Sequence, residues 1–273
     1  MGFFSIIIKS YIVVLILRNV MTRQELYLNP LGKIVASLTE PIYGTLFKSM
    51  PHEKSKKYTV FIIAFFTLLL GMVYWTLSGQ TLLGSIVDAV DDVVRFLMVF
   101  YIISIFLGSL LNTAYQTSIY TTFFYRIGLF WVKIARNIIN IPNNWITVVA
   151  VFLVFSVYVI VDSVFQVIFS LTFYGNFNLL GTLVFSVKYG LFSLIDLLGI
   201  LTWLIIIRAL ISWVSPDPYN PLVQLIVALT EPVMGPFRRL IPTIGIVDIS
   251  PIIAIFIIEF LRVFLKRLIG LLL

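Results

Sequence analysis

Tyr58–Val87 reads YTVFIIAFFTLLLGMVYWTLSGQTLLGSIV, without one charged residue. About 20 predominantly apolar residues carry a helix across a bilayer core, and a buried helix of a soluble protein is rarely so long and so uniformly apolar. Phe96–Tyr125, Asn137–Val161 and Ser163–Val187 are further uncharged runs above that length. Of the 273 residues 60% are hydrophobic and 11% charged, and mean hydropathy is +1.08, against about 25% charged residues in ordinary soluble domains. The sequence therefore predicts an all-α membrane protein with about six transmembrane helices, near 3–20, 58–78, 90–111, 146–171, 190–213 and 249–270. Phe3–Leu17 reads as a retained span and not a signal peptide, because Lys9 interrupts it and no small-residue cleavage site follows.

Composition also narrows the chemistry. There is no cysteine, hence no thiol nucleophile, disulfide or Cys-ligated metal. The single histidine, His52, sits in a polar loop and reads as a solvated residue, so no histidine cluster is available. No catalytic constellation, cofactor or metal site is expected. The net charge of +7 and pI of 9.6 point to loops beside anionic lipid and not to nucleic acid.

Between the spans the chain repeats itself. Asn29-Pro30-Leu31, Leu38-Thr39-Glu40-Pro41, Gly44 and Pro51 recur as Asn220-Pro221-Leu222, Leu229-Thr230-Glu231-Pro232, Gly235 and Pro242, all at one constant interval and without a gap. Such agreement marks an internal repeat. In the second copy Asn220 is a good N-cap and Pro221 a good first helical residue. Leu222, Leu225, Ile226 and Leu229 then share one helix face. Pro232 is expected to stop this helix after about ten residues, leaving a short interfacial or re-entrant segment. The first copy follows the same logic, with Leu31, Ile34, Val35 and Leu38 on the apolar face. Residues 112–145 keep only the layout, ending in Ile141-Pro142, with Phe124, Ile127, Gly128 and Trp131 as the equivalent face and Arg126, Lys133 and Arg136 outside it. This gives three two-span units: an N-terminal repeat (1–78), a degenerate middle unit (79–175) and a C-terminal repeat (176–273). Gly175, Asn176 and Asn178 read as a turn.

The inter-span segments carrying the motif, with their flanks, hold 13 of the 19 basic residues, whereas loop 79–95 is acidic through Asp88, Asp91 and Asp92. Positive-inside places the motif loops in the cytoplasm, with Lys266 and Arg267 as the contrary signal.

Arg208-Ala-Leu-Ile-Ser-Trp213, Asn220-Pro-Leu, Thr230-Glu-Pro, Pro236-Phe-Arg238-Arg239-Leu-Ile-Pro242 and Asp248-Ile-Ser-Pro251 together resemble the YggT (YlmG-like) family of integral membrane proteins. The resemblance is strong over 190–265 and weaker over 3–78. It implies a multi-pass protein of the bacterial inner membrane, linked to envelope organisation, cell division or osmotic tolerance, with no agreed biochemical activity. The Ser-Trp and Asp-x-Ser-Pro elements are missing from the first copy, and the middle unit departs from the family pattern.

Two groups of residues are candidates for a role. Arg208 and Glu231, with Arg18 and Glu40 in equivalent places, are expected to bridge a span to the motif helix, Arg238 or Arg239 being another partner for Glu231; both arginines also read as a basic anchor or lipid contact. Asp162 and Gln166 lie four apart on one face of span four, with Asp196 and Glu259 as possible additions, and Glu259 is placed to neutralise Arg262. The expected partners are the lipid bilayer and another protein or a second copy. A non-enzymatic scaffold or assembly factor fits these features, with a small-solute or ion channel as the alternative.

Overall fold

A computed structural model describes residues 2–48, 50–111, 119–139, 142–214, 221–240 and 248–273. These residues form helices α1 (Gly2–Val20), α2 (Arg23–Leu28), α3 (Pro30–Leu46), α4 (His52–Ser55), α5 (Thr59–Ser78), α6 (Leu82–Leu111), α7 (Ile119–Ile138), α8 (Asn143–Tyr174), α9 (Leu179–Val214), α10 (Pro221–Leu240) and α11 (Ser250–Leu272), with a 3₁₀ turn at Lys56–Tyr58 and no strand among the described residues. The protein is all-α. Among the described residues four stretches are long and apolar enough to cross a membrane: Gly2–Val20, Lys56–Ser78, Trp145–Tyr174 and Leu179–Ser212. The other two expected spans fall on α6 and α11, helices that carry Asp91, Asp92 and Arg95, or Glu259, Arg262, Lys266 and Arg267.

By contact the chain divides into two compact units, 1–183 and 184–273. In the first, α6 is the hub, packed by α5, α7 and α8, and α1 lies against α3 and α5. Close approaches need glycine here: a Cβ on Gly128 would stand 2.7 Å from the Ser104 carbonyl oxygen on α6, and one on Gly71 2.9 Å from the Ile86 Cα. The buried core of this unit runs from Ile8, Ile12 and Ile16 through Leu70 and Val93 to Phe123 and Ile127. On α7 Phe123, Ile127, Gly128 and Ala135 are buried; of the face read from sequence, Ile127 and Gly128 are among them, whereas Phe124 and Trp131 are half-buried. In the second unit Ile205 of α9, Met234 of α10 and Ala254 and Ile258 of α11 form the core.

Three expectations need correction. Pro41 and Pro232 do not end their helices: α3 continues to Leu46, and α10 passes through Pro232 and Pro236 to Leu240. A proline inside a helix costs about 3 kcal/mol, but the turns beyond it are anchored by tertiary contacts. Tyr43 and Met234, 4% and 0% exposed, are both buried there, and packing of this kind supplies most helical stability in proteins. Residues 82–95 are not a loop but the start of α6, where spacing places Asp88, Asp91 and Asp92 on one side of a helix, Asp91 paired with Arg95 and Asp92 with Lys9. His52 is not a free loop residue: it opens α4, and its Nε2 lies 3.2 Å from the Met21 carbonyl.

The turn signals at 175–178 are realised as expected. Gly175 caps α8 with φ 66°, and the Asn178 side chain accepts a hydrogen bond from the Gly181 N–H at 3.0 Å.

Candidate functional site

The first motif copy starts with two caps in succession. Thr22 and Glu25 form a reciprocal capping box at the head of α2. Asn29 then caps α3, its side chain accepting from the Leu31 N–H at 3.0 Å, with Pro30 as the first helical residue. Gly32 is required by this tight reversal, since a Cβ there would lie 2.0 Å from the Glu25 carbonyl oxygen.

Once formed, α3 presents three faces. Gly32, Val35, Ala36, Thr39 and Tyr43 are buried. Ile34 and Leu38, assigned by sequence to the same apolar face as Val35, are instead exposed, at 57% and 48%. Lys33, Ser37 and Glu40 form an exposed polar edge. A helix with apolar residues on two sides and charge on the third suits a position at the membrane boundary, packed on its own protein and touching lipid.

At the end of α1, Arg18 reaches α3 and is itself buried, 5% exposed. Its Nη1 donates to the Thr39 hydroxyl at 2.6 Å and to Glu40 Oε2 at 3.2 Å, and its guanidinium lies 4.1 Å from the centre of the Tyr43 ring. The Thr39 hydroxyl donates in turn to the Val35 carbonyl at 2.6 Å, and the Tyr43 hydroxyl lies 2.7 Å from that of Thr59, tying α3 to α5.

The second copy repeats this clamp. Arg208 Nη1 donates to the Thr230 hydroxyl at 2.8 Å and Nη2 to Glu231 Oε2 at 2.6 Å, while Thr230 donates to the Ile226 carbonyl at 2.7 Å. Arg238 adds a contact to Glu231 at 3.6 Å and one to Asp248 at 3.2 Å. The hydrogen bond from Arg208 holds the Glu231 carboxyl below the usual carboxylate range, against a smaller opposing effect of burial. Asp248 also accepts from the Ser250 N–H at 2.9 Å at the start of α11. Burial pushes its carboxyl up, but the Ser250 hydrogen bonds and the Arg238 charge together hold it below the ordinary range. Arg239 is exposed. Asn220 and the side chains of Trp213 and Pro221 lie outside the described residues.

The interval that carries Asn29 onto Asn220 carries Tyr43 onto Met234. The position of the aromatic ring that lies under Arg18 is therefore held by a thioether in the second copy. The pairing of arginine with glutamate was readable from sequence; the threonine as a second acceptor and the tyrosine under the guanidinium were not. The motif pattern kept Thr39 and Thr230 in view but gave no reason for a hydroxyl.

The intramembrane polar residues separate into different arrangements. Asp162 is 2% exposed, and neither of its carboxylate oxygens has a hydrogen-bond partner; the Tyr158 hydroxyl one turn earlier is likewise buried without one. Asp91 and Arg95 pair on α6. Gln166 is half-buried and lines a shallow cavity with Gln80 and Asp88. In the second unit Asp196 accepts from Arg262 and from Lys266, each at 2.7 Å, and Glu259 pairs with Arg262 at 3.3 Å and accepts from Thr202 at 3.0 Å. The expected neutralisation of Glu259 by Arg262 is thus present, within a network of five residues.

Residues 188–269, which hold the complete clamp, match the CCB3/YggT family. That segment is a CCB3/YggT domain. Relatives of the chain include the uncharacterized protein in the proC 3′ region of Vibrio alginolyticus, 37% identical over 94 residues (33% of this chain, 50% of the relative). YggT of Escherichia coli K12 is 32% identical over 71 residues (26% and 38%), and an uncharacterized protein of Pseudomonas aeruginosa 48% identical over 50 residues (18% and 25%). The chain thus spans between a quarter and half the length of these curated relatives. No solved structure matches it. The match of residues 188–269 to the YggT family and the long apolar helices point to a membrane protein.

Proposed function

We propose that this YggT-family protein is a non-enzymatic scaffold or assembly factor of the bacterial inner membrane, acting in envelope organisation, cell division or osmotic tolerance. One observation carries the reading: in each repeat an arginine at the end of a span fixes an amphipathic helix whose charged edge stays exposed. In the first repeat that edge is Lys33, Ser37 and Glu40; in the second it includes Glu231, Arg238 and Arg239. A rigidly held polar edge beside lipid suits recognition of a protein partner or a second copy, because little order has to be gained on binding. The excess of Lys and Arg in these segments supports a cytoplasmic position for both motif helices.

Photo-crosslinking residues placed at Ser37 and Arg239 in native membranes test this reading. Discrete protein adducts that weaken in a Glu40→Gln, Glu231→Gln double variant are expected. Labelling confined to lipid would refute it.

A further inference from the structure

A polar cavity of ≈ 200 Å³ lies in the first unit, between the end of α1, α3 and the segment that follows α3. Its lining includes Arg18, Arg23, Lys48 and His52, against the single carboxylate Glu40. Glu40 is already engaged by Arg18. Arg23 and Lys48 make no ion pair among the described side chains, so among these the lining carries an excess of positive charge.

The shape and position restrict what can answer that charge. Pockets for drug-sized ligands run to roughly 300–1,000 Å³, and this one suits a single ionic group. It opens where α1 ends and just ahead of Lys54, Lys56 and Lys57, at the level expected for lipid head groups. Arg18 is immobilised by Thr39 and Glu40 and supplies fixed charge, and Tyr27, Tyr43 and Phe47 complete the wall. A guanidinium fork with a lysine beside it is the usual chemistry for phosphate oxygens. The constant interval of the repeat carries Lys48 onto Arg239 but Arg23 onto Val214. The full cation set thus belongs to the first repeat and not to the motif at large.

We propose that this cavity binds a phosphate group, carried by an anionic phospholipid head group or taken as free phosphate. The site is independent of whether the motif helices dock a protein.

The full-length protein is reconstituted in nanodiscs of pure phosphatidylcholine or of phosphatidylcholine with phosphatidylglycerol. Retained phosphatidylglycerol is read by native mass spectrometry, and inorganic phosphate is titrated into the phosphatidylcholine discs with melting temperature as readout. An Arg23→Gln, Lys48→Gln double variant is expected to bind at least about tenfold more weakly, given the usual worth of two cations near a charged surface. A Lys54→Gln, Lys57→Gln control, on the same basic segment but outside the cavity, is expected to bind like the parent. Retention of phosphatidylglycerol identifies a lipid source, and stabilisation by inorganic phosphate alone identifies a soluble one; either supports the site. Equal loss in both double variants would reduce it to diffuse surface attraction and overturn the proposal, as would an absence of binding in both formats. Melting temperatures in pure phosphatidylcholine without phosphate separate lost binding from lost folding.

Discussion

A threonine hydroxyl can accept one hydrogen bond while donating another, and Thr39 and Thr230 use both capacities. Each receives an arginine N–H and passes its own proton to a carbonyl one turn back, and each is fully buried. Valine has the same shape without either capacity. Thr230→Val should therefore leave Arg208 with an unmet donor and cost about 1–3 kcal/mol, while Thr230→Ser should restore most of it. Thermal unfolding in detergent reads both variants, and a valine variant as stable as the parent would contradict this account. Glu231 adds a pH dependence of known sign. Its carboxyl lies below the usual carboxylate range in the folded protein, so its contribution is present above the unfolded value and is lost as pH falls through the folded one. The half-exposed position of Glu231 keeps the effect small through solvent screening. Melting temperature should fall more steeply below the ordinary carboxylate range in the parent than in Glu231→Gln.

At the scale of elements, much of the motif was legible and its end was not. Asn29 and Pro30 announce a cap and first turn through local chemistry that no distant contact needs to supply, and the structure places both there. Thr22-Arg-Gln-Glu25 is an equally local capping-box pattern, legible in the sequence by its Thr and Glu spacing. Pro232 misled because its helix-breaking cost is local while the contacts that outweigh it, around Met234, Val233 and Phe237, come from elsewhere in the chain. The acidic stretch at 88–92 misled for the same reason: Asp92 accepts from Lys9, Ser5 and Tyr74, none within ten residues of it. Helix-to-helix distances are likewise invisible in sequence, yet they can be tested through glycine. A side chain at Gly128 would press on the α6 backbone, which cannot yield as a flexible side chain can. Gly128→Val should cost about 1–3 kcal/mol and lower the yield of folded protein in membranes. Gly270→Val, where a Cβ meets nothing within 4 Å, should leave that yield unchanged.

At the scale of the molecule, many charges within apolar helices are paired among the described residues. Lys9 meets Asp92 at 2.6 Å, Glu25 meets Arg126 at 2.8 Å across the first repeat and the middle segment, and Asp196 meets two cations in the second unit. A lone buried charge in hydrocarbon is expensive, which is why such groups normally pair or mark a functional path. Asp162 breaks the pattern: both carboxylate oxygens are buried without a hydrogen-bond partner. Sequence placed it on one face with Gln166, and the structure adds Tyr158 one turn earlier, also unpartnered. Asp91 lies close enough to Asp162 to interact with it, and it pairs with Arg95. Replacing Asp162 by asparagine removes an ionisable group that no hydrogen bond rewards, whereas replacing Arg95 by glutamine removes the cation opposing Asp91. Asp162→Asn should therefore melt at or above the temperature of the parent, and Arg95→Gln several degrees below it, when both are heated in the same detergent. A marked loss of stability in Asp162→Asn would contradict this and show that the carboxylate does hold the first unit together.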